Sequence, residues 1–226
     1  MKLLNSFVSP FSARVRLAIY AYDLPVEIAP SGQWTENYEK SPDYLAINPI
    51  GRVPTLILDD HTALPESSVI VEYLAAQFPA TELVPRDAKS SARARLLAHL
   101  IELYVQIPAN PLTPQLFRDQ PDASIIKSRI TEIDTGLGYI DYFMGSEQRK
   151  ANHSITVADC ALAPFLFFHA ECMPKALGQE GVIGKHPNVA RYWADIQQNP
   201  SVQKVIEEMR NAIARSPIKK LISWEG

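Results

Sequence analysis

Cysteine is almost missing from this chain: its 226 residues hold two, Cys160 and Cys172. They stand twelve apart and can share one helical segment, where they are too distant to pair. A disulfide-stapled scaffold is excluded, and both read as small buried hydrophobes. Positive charge is not in excess either. Lys and Arg number 22 against 25 Asp and Glu, a formal net charge of −3. Broad electrostatic binding to nucleic acid or to an anionic membrane surface needs the opposite balance, so neither is expected as a partner. Long apolar runs are lacking as well. The most apolar stretch, 161–170, is broken by Pro164 and His169 and is too short to span a bilayer. The start, Met1-Lys2-Leu3-Leu4-Asn5-Ser6, has neither the apolar run nor the small-residue cleavage site of a secretion signal, so the cytoplasm is the expected location. His99, His153, His169 and His186 show no ligand spacing, and no metal is assigned. There is no internal repeat and no low-complexity tract.

What is present is a globular composition, 46% hydrophobic and 21% charged, long enough for one large or two modest domains. Leu3-Leu4 with Phe7-Val8 reads as a short buried strand. Val15, Ala18, Ile19 and Tyr22 recur at helical spacing, and Pro10 suits a first helical turn, so a helix is predicted from Pro10 to Tyr22. Residues 25–28 form a second strand. The polar, proline-punctuated stretch 31–49 reads as a long loop holding about one helical turn. Residues 55–58 and 62–64 make a third and fourth strand about the Asp59-Asp60-His61 turn, and a helix follows over 66–78. The order is β-α-β, loop, β-β-α: an α/β unit with a mixed sheet. Residues 79–91 have linker composition. Beyond them come helical stripes: Leu96, Leu100, Leu103, Tyr104 and Ile107; Ile126, Ile130, Ile133, Leu137 and Ile140; Val189, Tyr192, Trp193 and Ile196; Val202, Val205, Ile206 and Met209. The predicted organisation is an α/β domain over 1–80, a linker at 81–90 and an all-helical domain over 91–226.

Three segments can carry chemistry. Ser9-Pro10-Phe11-Ser12 lies where strand one hands over to helix one. A helix start presents unpaired N–H groups and partial positive charge, which stabilise an anion such as a thiolate, and a hydroxyl beside it adds a donor. Ser9 can equally be a plain N-cap. Arg52-Val53-Pro54-Thr55 precedes strand three. A proline there can be cis, turning the Val53 backbone outward to pair with an extended peptide, or can simply begin the strand. Pro65-Glu66-Ser67-Ser68 opens the next helix. Its hydroxyl and N–H groups suit a ligand carboxylate and Glu66 suits an ammonium; an acidic N-terminal turn reads the same way. A thiol site, a backbone clamp and an amino-acid head-group site together match a short cysteine-containing peptide.

In order and spacing these segments resemble the glutathione transferase superfamily, and the resemblance covers essentially the whole chain. It implies a thioredoxin-like N-terminal domain, an all-helical C-terminal domain, and glutathione as co-substrate with no metal. Ser9 matches the family's catalytic residue in a pattern similar to serine-type bacterial, theta and zeta members, with Ser12 as a rival hydroxyl. Val53 and Pro54 match the peptide clamp, and Glu66 with Ser67 the pair that holds the γ-glutamyl group. Trp34, Tyr38 and Lys40 fall in the loop that borders the glycine end. Thr156-Val157-Ala158-Asp159 matches the family's capping box, whose physics is that of any reciprocal N-cap.

The departures narrow the class. No cysteine lies in the first 80 residues, so mixed-disulfide chemistry has no nucleophile there. Ser9-Pro10-Phe11 stands where a zeta-like member would have Ser-Ser-Cys, which weakens maleylacetoacetate isomerisation as a reading. The resemblance further implies a homodimer and a second, small electrophilic substrate. Its pocket is expected between the start of helix one and the helical domain, with Phe11 on the rim and Tyr104 and Ile107 at the end of the first long helix. That wall is apolar with one hydroxyl and predicts an apolar or aromatic electrophile. Phe165, Phe168 and His169 read as core. Arg14 and Arg16 read as solvated or ion-paired in preference to anion-binding. The competing readings are an isomerase and a non-catalytic module that binds protein partners.

Overall fold

The computed structural model describes residues 1–29, 38–115, 118–146, 154–173 and 181–216. Strand β1 (Lys2–Leu4) lies parallel to β2 (Glu27–Ile28) and antiparallel to β3 (Thr55–Ile57), which pairs antiparallel with β4 (Ala63–Pro65). The sheet order is β2-β1-β3-β4, with Leu3 opposite Leu56 and Leu4 opposite Thr55. Helix α1 (Pro10–Ala21) starts as its sequence dictates. Ser9 is the N-cap, its Oγ accepting the Ser12 N–H at 3.3 Å, and Pro10 takes the first-turn position where no N–H is needed. The helix is buried on nearly every side because it lies between the α/β unit and the helical region, against helices of both.

That central position corrects the reading of its arginines as surface groups. Arg14 and Arg16 are both buried. Arg14 pairs with Glu102, and Arg16 pairs with Glu208 at 3.0 Å. An ion pair was one of the two expected readings, a solvated face the other; burial was not expected. The stretch predicted as loop holds α2 (Pro42–Ile47), begun by a second Ser-Pro step: Ser41 Oγ accepts the Tyr44 N–H at 3.3 Å and Pro42 sits in the first turn. Residues 30–37, including Trp34, lie outside the described residues, as does His153. Helix α3 (Ser67–Gln77) completes a thioredoxin-like unit of β-α-β and β-β-α halves.

Helices make up the rest. α4 (Ala88–Ile101) is capped by Asp87, which accepts the N–H groups of Lys89 and Ser90. It widens into π turns over Glu102–Gln106, followed by the short α5 (Ile107–Ala109) and α6 (Leu112–Gln115). Proline supplies the physical reason. Pro108 has no N–H for the Tyr104 carbonyl and crowds it, and the backbone ahead shifts to bonding five residues back, Ile107 N–H to Glu102 O. α7 (Ala123–Met144) packs against that segment. Gly136 makes the approach possible, since a Cβ there would stand 2.1 Å from the Tyr104 carbonyl oxygen. α8 (Val157–Phe167), buried throughout, begins at the Thr156/Asp159 capping box, where the Thr156 N–H donates to Asp159 Oδ2 at 2.9 Å. Then come α9 (Pro187–Ile196) and α10 (Pro200–Arg215), capped by Asn199.

The stripe assigned to the first long helix needs correction. Ala94, Leu97, Leu100, Ile101 and Val105 form its buried face, whereas Leu96, Leu103, Tyr104 and Ile107 are exposed. The stripe on α7 is buried at Ile133, Leu137 and Ile140, with Ile126 and Ile130 packed at its edge. Those on α9 and α10 lie as read from periodicity, with Trp193 at the core's margin. Among the described residues no helix is long and apolar enough to cross a membrane.

Candidate functional site

The β1–α1 and β4–α3 connections open on one cavity of about 640 Å³, well within the range that holds a small ligand. Ser9 and Phe11 come from the start of α1. Pro65, Glu66 and Ser67 come from the start of α3, and Val53 and Pro54 stand between them ahead of β3. Across from these are Asn110, Thr113 and Pro114 of the segment after the π turns. Two other cavities, beside Arg93 and beside Arg95, are about 160 and 270 Å³.

Ser9 has a β-region backbone and its Oγ accepts from Ser12, so its hydroxyl hydrogen remains to be donated. No acidic residue in the first turn of α1 offsets the positive end of its dipole. Ser12, the rival hydroxyl, is fully buried. It accepts the Ser6 N–H at 3.2 Å and is not among the cavity's lining residues. Its position one turn inside the helix points it back at the β1–α1 loop. That loop is held from below by Arg16, which donates to Asn5 Oδ1 (2.5 Å), Ser6 O (3.2 Å) and Phe7 O (3.4 Å). Phe11 lines the cavity with its ring edge-on to Phe165, centroids 5.0 Å apart.

The Val53–Pro54 bond is cis. Val53 lies ahead of the sheet ladder, which begins at Thr55. The bend is held by α2: Tyr44 Oη donates to Arg52 O at 2.6 Å and lies 2.8 Å from Thr55 Oγ1, and Asn48 Nδ2 donates to the same two oxygens at 3.0 and 2.9 Å. Desolvation in this network raises the Tyr44 pKa, so the hydroxyl stays protonated as a donor. Tyr44 and Asn48 were not singled out from sequence; the Ser41-Pro42 helix start was the signal that could have found them.

Glu66 caps α3 with φ of +68°, unusual for a residue with a side chain, and its carboxylate makes no capping hydrogen bond. The first N–H groups of α3 are therefore without a side-chain cap. Ser67 is buried at the cavity wall, and Arg14 Nη1 donates to its Oγ from behind at 3.4 Å. Lys40 is engaged with the Gly51 carbonyl at 2.6 Å, and Tyr38 stands edge-on to Tyr44.

Tyr104 and Ile107 are the residues the structure does not bring to the cavity. Tyr104 stacks edge-on against Tyr139, centroids 5.3 Å apart, and both are exposed. The π turns change the helical register ahead of Pro108, and Asn110, Thr113 and Pro114 take the wall instead. The far wall is thus part amide, part hydroxyl and part proline ring. Sequence gave no periodic signal for these three; the closely spaced Pro108 and Pro111 marked only where the helix breaks.

Two hydroxyls with O–H left to donate and two helix N-termini facing one cleft, with an exposed carboxylate at its rim, suit a peptide bearing an anionic sulfur and an amino-acid head group. The comparisons with known proteins agree. Residues 8–77 match the family model described as glutathione S-transferase, N-terminal domain. Over 215 residues the chain is 28% identical to glutathione S-transferase 3 of Zea mays, covering 91% of this chain and 93% of that protein. Over 170 residues it is 30% identical to maleylacetoacetate isomerase of Pseudomonas aeruginosa, covering 74% of this chain and 80% of that one. The crystal structure of glutathione transferase F7 from Populus trichocarpa superposes with a TM-score of 0.76 at 25% identity, covering 92% of this chain and 98% of that chain. With its sheet order, its paired helix starts and relatives matched over most of their length, the chain belongs to the glutathione S-transferase superfamily.

Proposed function

We propose that this protein is a glutathione transferase, with glutathione in the 640 Å³ cavity and its thiol at Ser9. The observation that carries the reading is the convergence of Ser9 at the start of α1 and Ser67 at the start of α3 on that single cleft. The cysteinyl backbone pairs with Val53. The glutamyl carboxylate takes the Ser67 hydroxyl and the first N–H groups of α3, and Glu66 takes the ammonium. A free thiol has a pKa of about 8.5 and is a few per cent ionised at pH 7. Lowering it by about two units requires about 2.7 kcal/mol, which a donated hydroxyl and the α1 N-terminus supply together. The thiolate then attacks the electrophile's carbon. A C–S bond forms, the displaced electron pair leaves with the departing group or moves onto the acceptor, and the thiol proton has already passed to solvent.

The second substrate enters from the side of Phe11, Asn110, Thr113 and Pro114. These residues carry no charge, which favours a small uncharged electrophile with an apolar or aromatic part; burying an unpaired carboxylate against them costs several kcal/mol. A second reading, glutathione-dependent isomerisation, is favoured by the 30% identity to the isomerase. There the thiolate adds to the substrate and leaves from the same carbon, and no conjugate accumulates. Calorimetry with glutathione, followed by a panel of conjugation and isomerisation substrates, tests both. Binding with conjugate formation supports the first reading and binding with isomerised product the second. No binding leaves a protein-interaction module.

Two apolar patches support a homodimer: Ile47 and Ile50 beside α2, and Leu103, Tyr104, Ile107, Tyr139 and Phe143 on the helical region. Sedimentation at micromolar concentration would show two subunits, and a monomer would contradict it. A cytoplasmic location fits two free buried cysteines and a thiol co-substrate.

A further inference from the structure

The wall of the cavity across from Ser9 is built on a stiff segment. Pro108, Pro111 and Pro114 each fix φ, and the Asn110 N–H is held by the Gln106 and Ile107 carbonyls at 3.1 and 3.2 Å. α6 is anchored from beneath: Leu112 and Gln115 are buried, and Gln115 Oε1 accepts the Asp122 N–H at 2.9 Å. Asn110, Thr113 and Pro114 are left to line the cavity. Gln106, one turn before Asn110, donates from Nε2 to Asn110 Oδ1 at 3.0 Å. That bond spends the acceptor of the Asn110 amide and leaves both Nδ2 hydrogens to be donated. Neither Asn110 Nδ2 nor Thr113 Oγ1 has a hydrogen-bond partner among the described residues. An amide whose acceptor is already engaged and a free hydroxyl, three residues apart on a stiff segment, form a pair of donors for an oxygen atom.

We propose that the second substrate is an alkene conjugated to a carbonyl, and that Asn110 and Thr113 hold its oxygen while Gln106 positions the Asn110 amide. The proposal rests on the glutathione reading above and deepens its electrophile site. Ser9 holds the sulfur, the Phe11 ring, edge-on to Phe165, takes the apolar end of the molecule, and the carbonyl oxygen goes to the two donors. The thiolate sulfur bonds to the β-carbon. The π pair of the alkene moves to join the α-carbon to the carbonyl carbon, and the carbonyl π pair comes to rest on oxygen as an enolate. Asn110 and Thr113 donate hydrogen bonds to this oxygen and keep their hydrogens. The α-carbon then takes a proton from solvent, and the thioether is released. Full charge reaches the oxygen only on attack, so donors fixed there favour the transition state over the bound substrate. An alkyl halide has no such oxygen; its electron pair departs with the halide.

The test is steady-state kinetics of the full chain at saturating glutathione with two aromatic probes, 4-phenylbut-3-en-2-one and benzyl chloride. Relative to the uncatalysed rates, wild type should accelerate the ketone about tenfold more than the halide, the order of a hydrogen bond to a charged group. Asn110→Leu should lower the ketone-to-halide ratio of kcat/KM by about tenfold to a hundredfold. Asn110→Asp, which sets an anion against the forming enolate, should lower it further, and Thr113→Val should lower it several-fold. Gln106→Leu should lose part of what Asn110→Leu loses, and adding it to Asn110→Leu should change the ratio no further, because the two act in series. A Gln106 that only stapled its helix would leave the ratio untouched. An unchanged ratio in both Asn110→Leu and Thr113→Val, or a wild type that binds glutathione and fails to accelerate the ketone, would overturn the proposal. No glutathione binding by calorimetry would instead bring down the glutathione reading, and this proposal with it.

Discussion

Ser9 and Ser12 are wired in series: Ser12 gives its backbone N–H to Ser9 Oγ at 3.3 Å, and its own Oγ accepts from Ser6 at 3.2 Å, one turn behind the cavity. The first hydroxyl keeps its hydrogen for a ligand, and the second is spent on the loop that presents the first. Their substitutions should therefore separate cleanly. Ser9→Ala is expected to keep glutathione affinity within a few-fold and to lower kcat by about 10² to 10³, the cost of deleting one donor to a reacting anion. Ser12→Ala should leave kcat within a few-fold and remove about 1 kcal/mol of stability. Steady-state kinetics with urea unfolding checks both, and the reverse pattern would move the catalytic role to Ser12.

Gly136 and Gly138 sit two residues apart on α7 and should respond to alanine with opposite sign. At 136 the new Cβ would meet the Tyr104 carbonyl oxygen at 2.1 Å, and backbone cannot swing aside. Gly136→Ala is expected to cost about 1–3 kcal/mol or more. At 138 the nearest atom is a His186 ring carbon at 3.6 Å, an ordinary contact, and Gly138→Ala should gain up to about 1 kcal/mol in helix propensity. Urea unfolding of the two variants reads the difference. A neutral Gly136→Ala would mean that α7 and the π turns are not held at the spacing described.

His169 makes the fold sensitive to acid. Its burial in the π turns that follow α8 pushes the imidazole pKa down to about 4 from the usual 6.5, because the cation cannot be solvated there. The unfolded chain then binds the extra proton between pH 6.5 and 4. Stability is intact above 6.5 and falls through that window, by on the order of 3 kcal/mol in all. His169→Leu, which cannot titrate, should flatten this part of the profile. Unfolding midpoints of the two proteins that run parallel from pH 7 to 4 would contradict the assignment.

Local start signals carried much of the fold. Ser9-Pro10, Asn199-Pro200 and Thr156-to-Asp159 each begin a helix where their capping chemistry places it, and the alternation of β1 through β4 gave the mixed sheet. Ser41-Pro42 is the same signal, hidden because the helix it starts is only six residues long and shows no hydrophobic period. Tyr104 and Ile107 were misplaced for a different reason. Counting at 3.6 residues per turn assumes an unbroken α-helix, and the π turns ahead of Pro108 alter the register; the wall passes to Asn110 and Thr113, which no periodicity marks. Burial of Arg14 and Arg16 depends on what covers α1 from both sides, and a helix read alone does not reveal its neighbours.

The central claim is that the cavity at Ser9 holds glutathione as its thiolate, and thiolate absorbance of the protein–glutathione complex, titrated against pH, tests it most directly. The account expects the bound thiol to titrate about two units below the free value of about 8.5, with a shift that shrinks in Ser9→Ala. A bound thiol titrating at the free value in the wild-type protein would contradict the account.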